Sequence, residues 1–143
     1  MARKFRVQHW IACREARFVA QVGWVHPYDI LGVSYTHVVP ADTEFPREIE
    51  RLDLFARFVD GRGSREFEVE VVWVDGPAGR RAVDTYGPFT VFFRFDQHVR
   101  SYVFRLLNVP LPGAGRYRAH LWAVTSRGRV MLATEFFDVL VQS

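Results

Sequence analysis

The sequence predicts an all-β fold, an antiparallel β-sandwich of about eight to ten strands, on three observations. Apolar and polar residues alternate with a period of two over most of the chain. Turn signals rich in glycine and proline separate the alternating runs. No long segment repeats its apolar residues at helical spacing. We therefore expect residues 1–143 to form a single β-sandwich domain, with a closed β-barrel as the alternative.

The first third of the chain predicts two strands and one short helical turn. The strands are expected over residues 5–22 and 28–39, and the first is long enough to be bent or split. The helical turn is expected over residues 46–51, because Pro46 suits the first position of a helix, where its missing N–H costs nothing.

The clearest alternation lies in two runs over residues 52–59 and 66–74. One face is apolar in both runs, and its residues are Leu52, Leu54, Ala56 and Phe58 in the first and Phe67, Val69, Val71 and Trp73 in the second. Between the runs, residues 60–63 (Asp-Gly-Arg-Gly) form a turn signal. The two runs are therefore expected to pair as a β-hairpin.

The remaining strands follow the same pattern. They are expected over residues 81–85, 89–95, 99–109, 116–124 and 129–141. The separating turns are residues 75–79, 110–115 and 126–128. The Gly87–Pro88 pair is expected to interrupt the β-structure between the first two of these strands, because proline removes a main-chain hydrogen-bond donor.

Tyr117 predicts the type of sandwich. It follows a proline–glycine turn and opens a strand, as does the tyrosine of immunoglobulin-like sandwiches whose hydroxyl bonds to nearby backbone. We therefore expect an immunoglobulin-like architecture in general terms. The cysteine pair of antibody domains is missing, because the chain has one cysteine.

Several short motifs resemble a family of bacterial β-sandwich proteins to which no activity is assigned. The motifs are residues 12–17 (Ala-Cys-Arg-Glu-Ala-Arg), 30–33 (Ile-Leu-Gly-Val), 45–46 (Phe-Pro), 112–117 (Pro-Gly-Ala-Gly-Arg-Tyr) and 136–139 (Phe-Phe-Asp-Val). The resemblance implies a two-sheet sandwich over nearly the whole chain. It implies no catalytic residues.

Composition indicates a globular protein. Hydrophobic residues make up 49% and charged residues 24%, which excludes a disordered chain. No apolar run is long enough for a membrane span. The basic start, residues 1–4, is followed by a segment too polar for a signal peptide, so the cytoplasm is the expected compartment.

The net charge of +3 is small, and arginine dominates it, since Lys4 is the only lysine. Residues 72–143 carry nine cations against five acids, and the first half is nearly balanced. A charge this small does not favour a nucleic-acid partner. We expect any retention on nucleic acid to vanish near physiological ionic strength.

No motif predicts catalysis, a metal site or a cofactor. The five histidines form no ligand pattern, and Asp96, His98 and Ser101 lack the exposed elbow that a nucleophilic serine needs. Cys13 lies beside Arg14 and Arg17, which favours a thiolate, but a buried structural cysteine is the preferred interpretation.

The candidate binding surface is one outward row, Arg116, Arg118, His120 and Trp122. Cations interleaved with an aromatic side chain suit a phosphate backbone with a stacked base, or a carboxylate-rich partner. A second acidic row, Glu66, Glu68 and Glu70, gives the competing interpretation. If the two rows are adjacent, cross-strand ion pairs explain both without a ligand.

A second surface carries apolar residues on the face that a simple sandwich exposes. The candidate interface residues are Phe55, Val72, Val74 and Phe92. Either another segment of the chain or a second subunit is expected to cover them.

These observations lead to two functional predictions. The main prediction is a non-catalytic binding or assembly module with a protein partner, most simply a second copy of itself. The alternative is a ligand-binding β-domain that holds carbohydrate or nucleic acid on its arginine and aromatic surface.

Overall fold

The computed structural model describes residues 4–18, 28–33, 35–76, 81–94 and 99–143, and these contain ten β-strands and no helix. The strands are β1 (Arg6–Cys13), β2 (Glu15–Phe18), β3 (Tyr28–Leu31), β4 (Thr36–Val39), β5 (Arg47–Val59), β6 (Gly63–Trp73), β7 (Arg81–Phe93), β8 (Val99–Leu111), β9 (Gly115–Thr125) and β10 (Gly128–Val141). The all-β, sandwich-like prediction is confirmed.

The strands form two main sheets and a small third one. The first sheet has the order β1-β5-β8, the second has the order β4-β10-β9-β6-β7, and β2 pairs with β3. All neighbours are antiparallel except β4 and β10, which run parallel. This order matches the immunoglobulin arrangement, in which strands A, B and E share one sheet and strands G, F, C and C′ share the other.

The core lies between the two main sheets, where the alternation of β5 and β6 placed it. Leu52, Leu54, Ala56 and Phe58 are fully buried, as are Phe67, Val69 and Val71. The rings of Phe58 and Phe67 stack with their centroids 5.0 Å apart. Phe5 packs against both rings and closes one end of this aromatic cluster.

The predicted hairpin between β5 and β6 is wrong. The turn at residues 60–63 connects the two strands, but β5 pairs with β1 and β8, whereas β6 pairs with β7 and β9. Their apolar faces therefore meet across the core instead of lying side by side in one sheet. A local turn signal fixes where the chain reverses, but the burial of both apolar faces decides which strands pair.

The predicted helical turn at residues 46–51 is also wrong, because β5 already begins at Arg47. Ile49 is buried and lies opposite Val109 of β8. Pairing with a neighbouring strand has outweighed the local preference that Pro46 gives, as tertiary packing often does.

The two N-terminal segments are each split. Residues 5–22 contain β1 and β2, which are separated at Arg14, and residues 19–22 lie outside the described part. Residues 28–39 contain β3 and β4. As a result of this split, β2 and β3 pair as a small separate sheet. Ala16 and Ile30 of this small sheet pack in one apolar cluster with Phe55 of β5.

The expected break at Gly87–Pro88 is an irregularity within one continuous strand, β7. The register with β6 shifts opposite this pair, between Phe67 and Val69, and Gly87 has a φ of 121°. Since β7 is at the edge of its sheet, the missing donor of Pro88 does not interrupt a central ladder. The predicted turn at residues 75–79 lies partly outside the described residues.

In the part of the chain that the structure describes, no helix is long and apolar enough to cross a membrane.

Candidate functional site

Strand β9 places the predicted binding row on the outer face of the five-stranded sheet. The alternate residues Tyr117, Ala119 and Leu121 are fully buried in the core, so the intervening side chains face outward as expected. His120 nevertheless has only 6% of its surface exposed, because its neighbours on the outer face cover it. The row is therefore not a continuous line of accessible groups.

Two arginines of the row pack on a single aromatic ring. The guanidinium carbons of Arg116 and Arg118 lie 4.9 and 4.7 Å from the centroid of the Phe136 ring on β10. Arg116 also donates from Nε to Asp138 Oδ1 over 3.0 Å. Ion pairing and packing on the Phe136 ring thus already engage the charge of Arg116 within the sheet.

Trp122 is engaged in a similar way at the other end of the row. Its Nε1–H donates to Glu70 over 3.2 Å, and the guanidinium of Arg129 lies 4.2 Å from its ring centroid. Arg129 in turn lies 3.9 Å from a carboxylate oxygen of Glu68. Arg129 therefore occupies one face of the only tryptophan in the row, which leaves less ring surface for a sugar or a base.

The acidic row is the direct neighbour of the predicted binding row. In the β6–β9 register, Glu68 lies opposite Trp122 and Glu70 lies opposite His120. Cross-strand pairs of opposite sign stabilise a sheet. The two rows are therefore adjacent, as the competing interpretation required. The observed ion pairs of both rows nevertheless run to β10, from Arg116 to Asp138 and from Glu68 to Arg129.

The net charge of this outer face is −1. Its outward positions on β6, β9 and β10 carry three arginines and four acidic residues, which are Arg116, Arg118, Arg129, Glu66, Glu68, Glu70 and Asp138. Such a face does not attract a polyanion.

The four predicted interface residues do not form one face. Phe55 lies on the outer side of the three-stranded sheet and is 7% exposed, because small sheet β2–β3 covers it. Val72 is also 7% exposed, and Val74 is half-buried. Phe92, on edge strand β7, is 59% exposed. The chain itself therefore covers Phe55 and Val72, which is one of the two kinds of cover that the sequence analysis expected, and Phe92 remains exposed.

The structure brings together a charged cluster that the sequence analysis missed. Asp53 on β5 is fully buried, and its carboxylate accepts hydrogen bonds from two arginines and one main-chain amide. Arg51 donates from Nε and Nη2 over 3.2 and 2.8 Å, and Arg105 of β8 donates from the same two atoms over 3.1 and 3.3 Å. The N–H of Ala16 completes the set at 2.9 Å.

These contacts determine the charge state of the Asp53 carboxylate. Burial alone would raise the pKa of Asp53, but the hydrogen bonds from Arg51, Arg105 and the Ala16 amide outweigh it and hold the pKa below its ordinary value. The carboxylate is therefore ionised at neutral pH, and it fixes two guanidinium groups that remain partly in solvent. The side chains of Arg51 and Arg105 are 35% and 46% exposed.

The same sheet carries further cations along its outer face. Arg57 on β5 is exposed between the buried Ala56 and Phe58, and it lies opposite His9 of β1 and Ser101 of β8. Arg6 of β1 lies opposite Val59, on the same side of the sheet. We call the set Arg6, Arg51, Arg57 and Arg105 the basic face.

On the basic face, positive side chains outnumber negative ones. Between Arg51 and Val59, Asp53 is the only acidic residue at the outward positions of β1, β5 and β8, so four arginines against one aspartate give +3. Among the described residues, neither Arg6 nor Arg57 has an ion-pair partner. The sequence held a usable signal, since Arg51, Asp53 and Arg57 occupy alternate positions opposite the apolar face of β5.

Two other predictions concern the cysteine and the histidines. Cys13 is fully buried, and its thiol donates to the Asp53 carbonyl oxygen over 3.5 Å. Burial raises the pKa of Cys13 to about 11, and the negative charge of Asp53 adds to this effect. In the described part of the chain, no three His, Cys, Asp or Glu side chains are grouped as metal ligands. Residues 95–98 lie outside the described part, so Asp96 and His98 are not placed relative to Ser101.

No protein-family model and no curated protein matches the chain. Among solved structures, it is similar to the alkylpurine DNA glycosylase AlkC of Pseudomonas fluorescens, bound to DNA that contains an abasic site analogue. The TM-score is 0.48 and the sequence identity is 10%. The match covers 95% of this chain and 30% of the glycosylase chain, so this chain spans less than a third of that protein's length.

The main functional prediction, a self-associating assembly module, is wrong. The similar structure is an enzyme bound to DNA, whereas the main prediction was a non-catalytic assembly module. Two of the four residues on which the main prediction rested, Phe55 and Val72, are also covered within the chain. At this TM-score the likeness assigns no activity to the chain.

Proposed function

We propose that this chain is a nucleic-acid-binding β-domain that binds the phosphate backbone through the basic face. The observation that carries the proposal is the separation of charge between the two outer faces, +3 on the three-stranded sheet between Arg51 and Val59 and −1 over β6, β9 and β10 of the five-stranded sheet. Polyanions are attracted to local concentrations of positive charge, and the net charge of the whole chain does not reveal them.

Glu66, Glu68 and Glu70 would repel a phosphate backbone that passed near the arginines of β9. In the structure these glutamates lie on β6, in the five-stranded sheet, whereas the basic face belongs to the other sheet. A nucleic acid on the basic face therefore does not pass over the acidic row.

The basic face favours binding that does not depend on sequence. Its arginines are suited to phosphate oxygens, and the aromatic side chain at its centre, Phe55, is buried. Stacking of bases on Phe55 is therefore excluded, and contacts to the backbone carry no sequence information.

The experiment is a titration of fluorescently labelled random-sequence oligonucleotides, single-stranded and duplex, followed by anisotropy between about 50 and 200 mM salt. We compare the wild type with the double variant Arg6→Glu/Arg57→Glu. The variant is expected to weaken binding by roughly tenfold or more and to reduce the slope of log K against log salt by about two, because two phosphate contacts are lost.

The matched control is Arg116→Glu/Arg118→Glu, which makes the same change of charge on the opposite sheet. It is expected to bind as the wild type does, and thermal unfolding establishes that both variants are folded. An equal loss in the two variants, or loss in the control alone, would overturn the basic face as the binding site. Absence of binding by the wild type at the lowest salt would overturn the function.

A further inference from the structure

We infer that Arg51 and Arg105, held by the buried carboxylate of Asp53, form a preformed site for one phosphate group within the basic face. The inference rests on the proposed function for its biological ligand, but it concerns a defined pair of side chains. The same pair is expected to bind inorganic phosphate when no nucleic acid is present.

The geometry leaves donors free on both guanidinium groups. Each arginine carries five N–H donors, and each turns Nε and one N–H of Nη2 toward Asp53. Three donors on each side chain are not used by this carboxylate. Both side chains are partly exposed, so solvent reaches part of each guanidinium group, although Nη2 of Arg51 also lies 3.8 Å from a Glu15 oxygen.

Charge at this pair also favours an anion. Two guanidiniums against the single carboxylate of Asp53 leave one positive charge. Glu15 is the nearest further carboxylate, with an oxygen 3.8 Å from Nη2 of Arg51, and Arg17 pairs with it at 2.9 Å. Glu15 and Arg17 therefore compensate each other, and the excess positive charge at Arg51 and Arg105 remains.

Fixed orientation distinguishes this pair from the other cations of the basic face. Arg51 comes from β5 and Arg105 from β8, and both are tied to the same buried group, so little side-chain freedom remains to be lost on binding. Arg6 and Arg57 have no such support. Asp53 is thus a positioning residue, and the phosphate contacts belong to Arg51 and Arg105.

The first test is direct and needs no variant. The guanidinium resonances of the wild-type protein are followed by NMR during titration with sodium phosphate, and a second titration with sodium chloride matches the ionic strength. The Nε–H signals of Arg51 and Arg105 are expected to move together and saturate with phosphate only. Equal movement in chloride, or movement of Arg57 alone, would overturn the site.

The second test separates shape from charge. Arg105→Lys keeps the positive charge but loses the planar fork, so it is expected to lower the affinity for a short oligonucleotide several-fold. Arg118→Lys on the opposite sheet is the matched control and is expected to leave the affinity unchanged. Equal affinities for wild type, Arg105→Lys and control would show that only charge matters and would overturn the inference.

The two proposals fail in different ways. If the wild type shifts with phosphate at Arg51 and Arg105 but binds no oligonucleotide, the site stands and the nucleic-acid function falls. If it binds oligonucleotides but shows no phosphate-specific shift, the function stands and the preformed site falls. Should Arg105→Lys unfold in a thermal scan, the phosphate titration of the wild type decides the inference alone.

Discussion

The hydroxyl of Tyr117 donates a 2.5 Å hydrogen bond to the carbonyl oxygen of Gly113, four residues earlier in the chain. Tyr117 is fully buried, and its ring stacks between those of Trp73 and Phe137, with centroids 6.2 and 5.1 Å away. Burial raises the pKa of Tyr117 to about 12, so the hydroxyl stays a donor at any pH at which the protein is used. This contact is the tyrosine corner that the turn before β9 predicted.

Removing that hydroxyl is expected to destabilise the fold measurably. Tyr117→Phe keeps the ring stack but leaves the buried carbonyl of Gly113 without its partner, which costs ~1–2 kcal/mol in the free energy of unfolding. Urea denaturation measures the change. Tyr86→Phe is the matched control, because the Tyr86 hydroxyl is buried without a hydrogen-bond partner in the described part of the chain. The control is expected to be neutral or stabilising, and equal losses in the two variants would contradict the assignment.

The sequence predicts the faces of strands better than their partners. The alternation of Leu52, Leu54 and Phe58 identified the buried side of β5 because side-chain direction depends only on the local backbone. The turn at residues 60–63 was also located correctly. That β6 crosses to the other sheet depends on residues far away in the chain, on β8 and β9, and no local pattern contains this information.

At the candidate site, too, the sequence predicts the direction of side chains but not the residues that they contact. The outward direction of Arg116 and Arg118 was predictable, but their engagement with Asp138 and Phe136 depends on the β9–β10 register. The basic face needed three strands to be placed side by side, since Arg6, Arg57 and Arg105 lie far apart in the sequence. The small net charge of the whole chain therefore gave no indication that positive charge is concentrated on the outer face of the three-stranded sheet.

Trp73 allows a test of the β6 register. The side chain is half-buried, its Nε1–H donates to the Ala114 carbonyl oxygen over 3.1 Å, and its ring lies against Gly113, where an added Cβ would come within 2.5 Å. Trp73→Asp is expected to abolish soluble folding, because it puts an unpaired charge beside the Tyr117 stack.

Expression in the soluble fraction and a thermal scan measure the outcome for Trp73→Asp. Trp122→Asp is the control, since Trp122 is also half-buried but faces outward, where a carboxylate remains hydrated. Cooperative unfolding is expected for the control. A soluble, cooperatively unfolding Trp73→Asp protein would contradict the inward direction of this residue.

Cys13 is expected to be inert toward thiol reagents in the native state. The thiol is fully buried and its pKa is raised to about 11, so at pH 8 neither access nor ionisation favours attack. A disulfide reagent that releases a coloured thiol reports the reaction. Labelling is expected only in denaturant, at the rate of unfolding, and rapid stoichiometric labelling of the native protein would contradict the burial of Cys13 beneath small sheet β2–β3.

The Asp53 carboxylate makes stability depend on pH. The folded-state pKa of Asp53 is lowered, so its ionised form stabilises the native state above the unfolded-state value of about 3.9. This stabilisation is lost as the pH falls through the lower, folded-state pKa. Asp53→Asn carries no titrating group at this position. The difference in the free energy of unfolding between wild type and Asp53→Asn is therefore expected to be constant near neutral pH and to narrow below about pH 4.

Urea unfolding of the wild type and Asp53→Asn from pH 7 down to the acid transition measures this difference, and taking the difference cancels the other carboxylates. Arg105→Gln is the second variant. It removes two of the hydrogen bonds to Asp53 and leaves those from Arg51, so the folded-state pKa of Asp53 rises toward the unfolded-state value. The acid-dependent loss of stability is therefore expected to be smaller than in the wild type and to be complete at a higher pH. Parallel curves for wild type and Asp53→Asn over the whole range would show that the Asp53 carboxylate does not stabilise the fold through its charge. An acid-dependent loss of stability in Arg105→Gln that is as large as in the wild type would show that Arg105 does not lower the pKa of Asp53.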